Sequence, residues 1–120
     1  MTVSLSVSFV THAPPLIPDF KDVFNSLLGA IINAQRHQVL GPVSVTLVDN
    51  GNNEALLEKA IADTPCDFPV RLVKNPQNVG YSAHNQGIKQ STADYHLILN
   101  PDVLLSPSSL INGLTYLEDN

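Results

Sequence analysis

Apolar and polar residues alternate along this chain with two different periods. From Val3 to Val10, Val, Leu and Phe occupy alternate positions with Ser between them, a pattern typical of a strand. From Asp19 to about His37 the apolar residues lie three and four positions apart, which predicts a helix with Asp19 as its N-cap. The apolar face of this helix consists of Phe20, Val23, Phe24, Leu27, Leu28, Ile31 and Ile32.

The two periods continue to the end of the chain. Strands are predicted over 43–48, 70–73 and 95–99, and Gly41-Pro42 is predicted to end the first helix. Three more helices are predicted, and they begin at Asn52 or Asn53, at Tyr81 and at Ser106. Alternating strands and helices predict an α/β fold, a Rossmann-like three-layer sandwich with a mainly parallel sheet and helices on both faces.

The composition fits a single domain over residues 1–120. The chain is 43% hydrophobic with a net charge of -5, so neither disorder nor general nucleic-acid binding fits it. Cys66 is the only cysteine, which excludes an internal disulfide and suits a reducing compartment. Because no apolar run reaches about 18 residues and the first residues are not basic, we expect no membrane span, no signal peptide and a cytoplasmic location.

The segment from Leu97 to Val103 carries the first candidate for chemistry. It predicts a strand that runs into Asn100-Pro101-Asp102, where the proline restricts the backbone on both sides. Asp102 therefore follows the carboxyl end of a strand, where open α/β sheets bind ligands, and its carboxylate suits a hard divalent cation. A simple turn explains the same three residues.

Asp49 ends an earlier strand and is the second candidate. In one parallel sheet Asp49 and Asp102 would face a common crevice, and the Asp49 carboxylate could accept an N–H from a pyrimidine base. The residues Asn50-Gly51-Asn52 also suit a strand-to-helix turn, which leaves a purely local role open for Asp49.

The third candidate is residues 78–87, a stretch rich in small and amide side chains. Gly80 precedes the predicted polar helix, so backbone N–H groups there could approach a ligand closely. The stretch lacks the Gly-Lys-Ser/Thr sequence of a P-loop. Arg71, in the third strand, is either a phosphate or base contact or a solvent-exposed edge residue.

In their order and spacing these segments resemble the nucleotide-binding half of family 2 glycosyltransferases of the GT-A type, especially rhamnosyltransferase-like members. The resemblance extends from Val3 to about Leu110. It implies a nucleotide-diphosphate sugar as donor, with TDP-rhamnose as the expected example, and a saccharide or lipid-linked acceptor in polysaccharide synthesis. The motifs that carry it are Leu47-Val48-Asp49-Asn50-Gly51, Asn78-Val79-Gly80-Tyr81-Ser82-Ala83-His84-Asn85-Gln86-Gly87 and Leu97-Ile98-Leu99-Asn100-Pro101-Asp102-Val103.

The resemblance implies roles for five donor-binding residues. Thr11 and His12 correspond to the family's first donor contact, at the end of the first strand. Asp49 corresponds to the acid that binds the base. Asn78 and Gly80 correspond to the loop beside the nucleotide.

The resemblance also implies a divalent cation. Asp102 corresponds to the last acid of the Asp-x-Asp motif, which holds Mg²⁺ or Mn²⁺ on the diphosphate, and Asn100 stands where that motif has its first acid. Inverting members use a carboxylate base in the acceptor half, and no residue of this chain corresponds to it. We therefore expect a donor-binding half without its acceptor half, and no sugar transfer by this chain alone.

Two expectations about partners follow. Leu104 and Leu105 are predicted to lie bare beside the edge of the fourth strand, which would favour a homodimer or larger assembly. The acceptor class suggests peripheral association with the inner face of a membrane. Two other functions fit the same residues: a non-catalytic module that binds nucleotide sugars, and an α/β interaction domain whose motifs are only turns.

Overall fold

This computed structural model describes residues 2–11, 19–49, 53–74, 92–100 and 103–119. These residues contain four strands and three helices. The predicted helix that begins at Tyr81 lies outside them. In chain order the elements are β1 (Val3–Thr11), α1 (Phe20–Arg36), β2 (Leu40–Asp49), α2 (Glu54–Asp63), β3 (Val70–Lys74), β4 (Tyr95–Leu99) and α3 (Ser109–Asp119).

The strands form one sheet in the order β3-β2-β1-β4, and each neighbouring pair is parallel. Parallel neighbours need crossover connections, and α1 and α2 provide them between β1 and β2 and between β2 and β3. All four carboxyl ends therefore lie side by side along one end of the sheet, where the strands finish. This end is named the carboxyl edge. The predicted α/β fold with a parallel sheet is confirmed.

One face of the sheet carries the main core, and all three described helices pack against it. Phe9 of β1 meets Phe20 of α1 edge to face at 5.2 Å between ring centroids, and Phe20 stacks on Phe24 at 5.5 Å. The core-facing residues of β1 and β2 include Val3, Leu5, Val7, Phe9, Val43, Val45 and Leu47. Because side chains alternate between faces, a shift of one residue would move this whole set out of the core, which fixes the strand register.

The opposite face is largely polar. Ser6, Ser8 and Thr46 lie there and are buried, which alternation with the core residues requires. Arg71 shares this face, since its Nη2 lies 3.4 Å from Thr46 Oγ1. Near the carboxyl edge the face carries a small apolar cluster of Val10, Val48 and Val73.

The helix α1 begins where the sequence predicts and ends slightly earlier. The Asp19 side chain accepts the N–H of Lys21 at 3.2 Å, as an N-cap does. The last helical residue is Arg36, and Gln38 then adopts a left-handed conformation with φ 61°. The helix therefore ends at a left-handed turn that no glycine marks.

The prediction that Gly41-Pro42 ends this helix is wrong, because both residues lie inside β2. Val3 pairs with Leu40, yet Leu5 pairs with Val43, so β2 holds one residue more than β1 between these pairs. Such a bulge suits a proline, which cannot donate to the sheet.

The segment between β4 and α3 is held against α1. Ser26 Oγ accepts the Leu105 N–H at 3.0 Å, and Asn33 Nδ2 donates to the Pro107 carbonyl at 2.7 Å. The helix α3 starts at Ser109 and not at Ser106, whose carbonyl oxygen accepts the Ser109 N–H and hydroxyl. Leu104 is 57% exposed, as predicted, whereas Leu105 packs against the core and is not bare.

Candidate functional site

Three side chains form a row at the carboxyl edge. Thr11 at the end of β1 is in register with Asp49 at the end of β2, and Asp49 is in register with Lys74 at the end of β3. Each lies two residues beyond a core-facing residue of its strand, namely Phe9, Leu47 and Leu72, so all three project toward the face that carries the helices. The register thus brings Thr11 and Asp49, both predicted from the sequence, next to each other.

The Asp49 carboxylate is fully buried at the start of α2. Its Oδ1 accepts the backbone N–H of Asn53 at 2.9 Å, and Asn53 is the N-cap of α2. A carboxylate in this position satisfies a helix N–H that has no partner inside the helix and interacts favourably with the helix dipole. The local role suggested by the turn sequence is therefore real. This role uses Oδ1 of the carboxylate.

A chain of hydrogen bonds joins Asp49 to the end of β1. Asn53 Nδ2 lies 3.5 Å from Thr11 Oγ1, and the Thr11 hydroxyl donates to the Val48 carbonyl at 3.4 Å. Thr11 and Asn53 are buried. These contacts join the ends of β1 and β2 to the first turn of α2.

Lys74 adds a positive charge to this corner, and the sequence prediction missed it. Its ammonium lies 2.8 Å from Glu54 Oε2, in the first turn of α2, with both side chains about half exposed. The hydrogen bond and the negative charge of Glu54, with a smaller contribution from Asp49, raise the pKa of Lys74 above its usual value. Lys74 was missed because the third strand was predicted to end at Val73. One more residue of strand, placed in register with Asp49, would have revealed it.

The fourth strand reaches the same edge on the other side of β1. Leu99, its last residue, pairs with Phe9, and Asn100 follows, half-buried. β1 is the only strand between β2 and β4. The strand that leads to Asp102 and the strand that ends at Asp49 therefore finish on one edge, although Asp102 itself lies outside the described residues.

Comparison with known proteins identifies the family. A sequence profile described as glycosyl transferase family 2 matches residues 20–120. The chain belongs to glycosyltransferase family 2. A search of curated proteins found no match.

A solved structure shows the same fold. The crystal structure of S. aureus TarS 1-349 superimposes with a TM-score of 0.68 at 15% sequence identity. The match covers 97% of this chain and 32% of the TarS chain, so this family 2 chain spans about a third of that structure. At this identity the likeness concerns the fold, and it agrees with the predicted GT-A architecture.

Four of the residues implied by the family resemblance cannot be placed. His12, Asn78, Gly80 and Asp102 lie outside the described residues, so their roles stay predictions. Within the described ranges no group of three His, Cys, Asp or Glu side chains could hold a metal ion. The donor set still fits the expected cation, because Asn100 at the end of β4 and Asp102 offer only oxygen ligands, and Mg²⁺ often takes one or two carboxylates plus phosphate oxygens.

Two other polar residues of this family 2 chain lie away from the row at the carboxyl edge. Arg71 lies on the opposite face of the sheet, beside Thr46. This position favours its interpretation as a solvent-exposed residue of an outer strand. His96, in β4, is hydrogen-bonded through Nδ1 to Ser6 Oγ, also away from Asp49. None of the helices among the described residues is both long and apolar enough to cross a membrane.

Proposed function

We propose that this chain is the donor-binding part of a glycosyltransferase that uses a nucleotide-diphosphate sugar. The observation that carries the proposal is the parallel sheet that ends β1, β2 and β4 at one edge, with the Asp49 carboxylate fixed there by the first turn of α2. Family membership supports the reaction class. In the proposed arrangement Asp49 and Thr11 contact the base end of the donor, and the segment after β4 contacts its diphosphate.

Each group has a physical task in this proposal. The Asp49 carboxylate accepts a ring N–H of the base, and the Asn53 N–H holds the carboxylate in place. Asn100 and Asp102 would hold Mg²⁺ or Mn²⁺. When bound, this cation would offset the negative charge that grows on the diphosphate as the sugar leaves, an effect worth several kcal/mol.

The finer identity of the substrates rests on the sequence motifs. The Asn100-Pro101-Asp102 sequence supports a rhamnosyltransferase-like enzyme, with TDP-rhamnose as donor and a saccharide or lipid-linked acceptor in polysaccharide synthesis. Such an acceptor would place the enzyme in the cytoplasm, at the inner face of a membrane.

The fully buried state of Asp49 adds a requirement. A base can reach the carboxylate only if neighbouring residues move aside, so binding must include a local rearrangement of the carboxyl edge. We therefore expect nucleotide binding to change the amide signals at the start of α2 and the end of β1, observable by NMR.

Calorimetry with UDP and TDP, with and without Mn²⁺, tests the proposal. We expect binding that Mn²⁺ strengthens, that Asp49→Asn weakens by about tenfold or more, and that loses its Mn²⁺ dependence in Asp102→Asn. Asp63→Asn, an exposed acid at the end of α2, is the matched control and should bind normally. Absence of binding by the wild type, or equal binding by Asp49→Asn, would leave an α/β interaction domain as the better description.

A further inference from the structure

Lys74 is the one ammonium group in the row that contains Thr11 and Asp49. Neighbouring strands lie about 4.8 Å apart, and the register of Asp49 with Lys74 sets the two side chains next to each other on the same face. Whatever binds the Asp49 carboxylate therefore lies within reach of the Lys74 side chain.

The contact of Lys74 with Glu54 holds the ammonium at this place. An ion pair between half-exposed groups adds little to stability, so its main effect is positional. Glu54 belongs to the first turn of α2, the same turn that fixes Asp49 through the neighbouring Asn53. The first turn of α2 thus orients the Asp49 carboxylate, which only accepts hydrogen bonds, beside the Lys74 ammonium, which only donates them.

We infer that Lys74 determines base specificity, by donating a hydrogen bond to the 4-carbonyl oxygen next to the ring N–H that Asp49 accepts. This inference rests on the proposed function. A carboxylate only accepts and an ammonium only donates, so the pair matches a base edge with an N–H beside a C=O. Uracil and thymine present this edge. At the same two positions cytosine presents a ring nitrogen acceptor and the 4-amino donor, which oppose both groups.

The Lys74 ammonium is charged throughout the neutral range, as an ordinary lysine is, so it can act as a donor to a ligand. A phosphate contact is the other use for an ammonium at this edge, and it predicts a different pattern. Losing a phosphate contact would weaken UDP and CDP equally, whereas losing a base contact would weaken UDP alone.

The test compares UDP and CDP, each measured by competition calorimetry on the full chain. Wild type should prefer UDP. Lys74→Met should weaken UDP binding by about tenfold and should not weaken CDP binding, so the preference for UDP narrows. Lys74→Arg should retain most of that preference. Lys59→Met removes another exposed lysine with an acidic partner, Asp63, and should change neither affinity. Unfolding midpoints verify that each variant is folded.

The outcomes separate this inference from the function on which it rests. If wild type binds UDP, Asp49→Asn weakens that binding and Lys74→Met keeps the wild-type preference for UDP, then only the inference is overturned. Equal weakening of UDP and CDP by Lys74→Met also overturns it, in favour of a phosphate contact. If wild type binds neither nucleotide, the proposed function itself fails.

Discussion

At the scale of single residues, Asp49 shows why a strand-end acid is hard to interpret from sequence. The sequence left two interpretations of Asp49 open. One was a local role in a turn, and the other was a contact with the base of a nucleotide. The structure shows that one carboxylate oxygen fixes the start of α2, and that the strand register places Asp49 beside Thr11. The two roles are compatible, because a carboxylate has two oxygens and each can accept more than one hydrogen bond.

The structural part of this role predicts a difference between two substitutions. Asp49→Ala removes the acceptor of a buried N–H and should lower the free energy of unfolding by about 1–2 kcal/mol, as losing a helix cap does. Asp49→Asn keeps an oxygen for the Asn53 N–H and should cost less. Urea denaturation of both variants gives the two values, and equal losses would contradict the capping role.

His96 predicts a pH dependence of stability. Burial lowers its pKa, so the folded protein disfavours the charged imidazolium. The contribution of His96 to the stability of the folded state is complete above the pKa of the unfolded state, about 6.5. It is lost as the pH falls below that value. Lowering the pH from 7.5 to 5.5 should lower the urea midpoint of unfolding. We expect this decrease to be smaller in His96→Gln than in wild type. His37→Gln, an exposed control, should behave like wild type.

At the scale of elements, periodicity predicted each described strand and helix, and local chemistry explains the errors. Gly41-Pro42 looked like a helix stop, yet a bulge lets β2 contain both residues. Ser106-Pro107 looked like a helix start, yet α3 begins at Ser109 after a turn. Both errors concern proline, whose restricted φ suits several structures, so the choice depends on strand pairing and packing that sequence does not show.

Gly29 offers a prediction for α1. It is exposed in the middle of the helix, and a Cβ added there would meet nothing within 4 Å. Gly29→Ala should therefore raise the free energy of unfolding by about 0.5–1 kcal/mol, since alanine restricts the unfolded chain and favours helix. Gly113→Ala in α3, equally open, should act in the same direction. Urea unfolding measures both, and destabilisation would show that the helix surface is occupied in solution.

At the scale of the whole molecule, the two outer strands of the described sheet differ in charge. The residues of β3 include exposed Arg71 and Lys74, and such charges discourage pairing with another sheet. The residues of β4 include no Lys, Arg, Asp or Glu, and Ile98 is 50% exposed. Among the described residues β4 pairs with β1 alone.

Self-association through β4 accordingly stays a prediction of the sequence. Light scattering over a concentration series should show a dimer or larger species, and Ile98→Lys should shift it toward monomer. Leu56→Lys places the same charge at a similarly exposed residue of α2 and should leave the assembly unchanged. A wild-type chain that stays monomeric at every concentration would contradict the prediction.

The sequence predicted the architecture better than the site. The periods of the hydrophobic residues suffice to predict a parallel α/β sheet, because burial of one face determines which residues of a strand point into the core and how the strand pairs. Site residues depend on register between distant strands, which is how Lys74 escaped notice beside Asp49. The assignments of His12, Asn78, Gly80 and Asp102 rest on motif resemblance alone.

A crystal structure of the protein with UDP and Mn²⁺, with the cation located by its anomalous signal, tests the central claim most directly. We predict the base against Asp49 and Thr11, and the cation between the diphosphate and Asp102, all at the carboxyl edge. A nucleotide bound at another surface, or Asp49 and Asp102 separated by the protein so that one donor cannot touch both, would contradict the account.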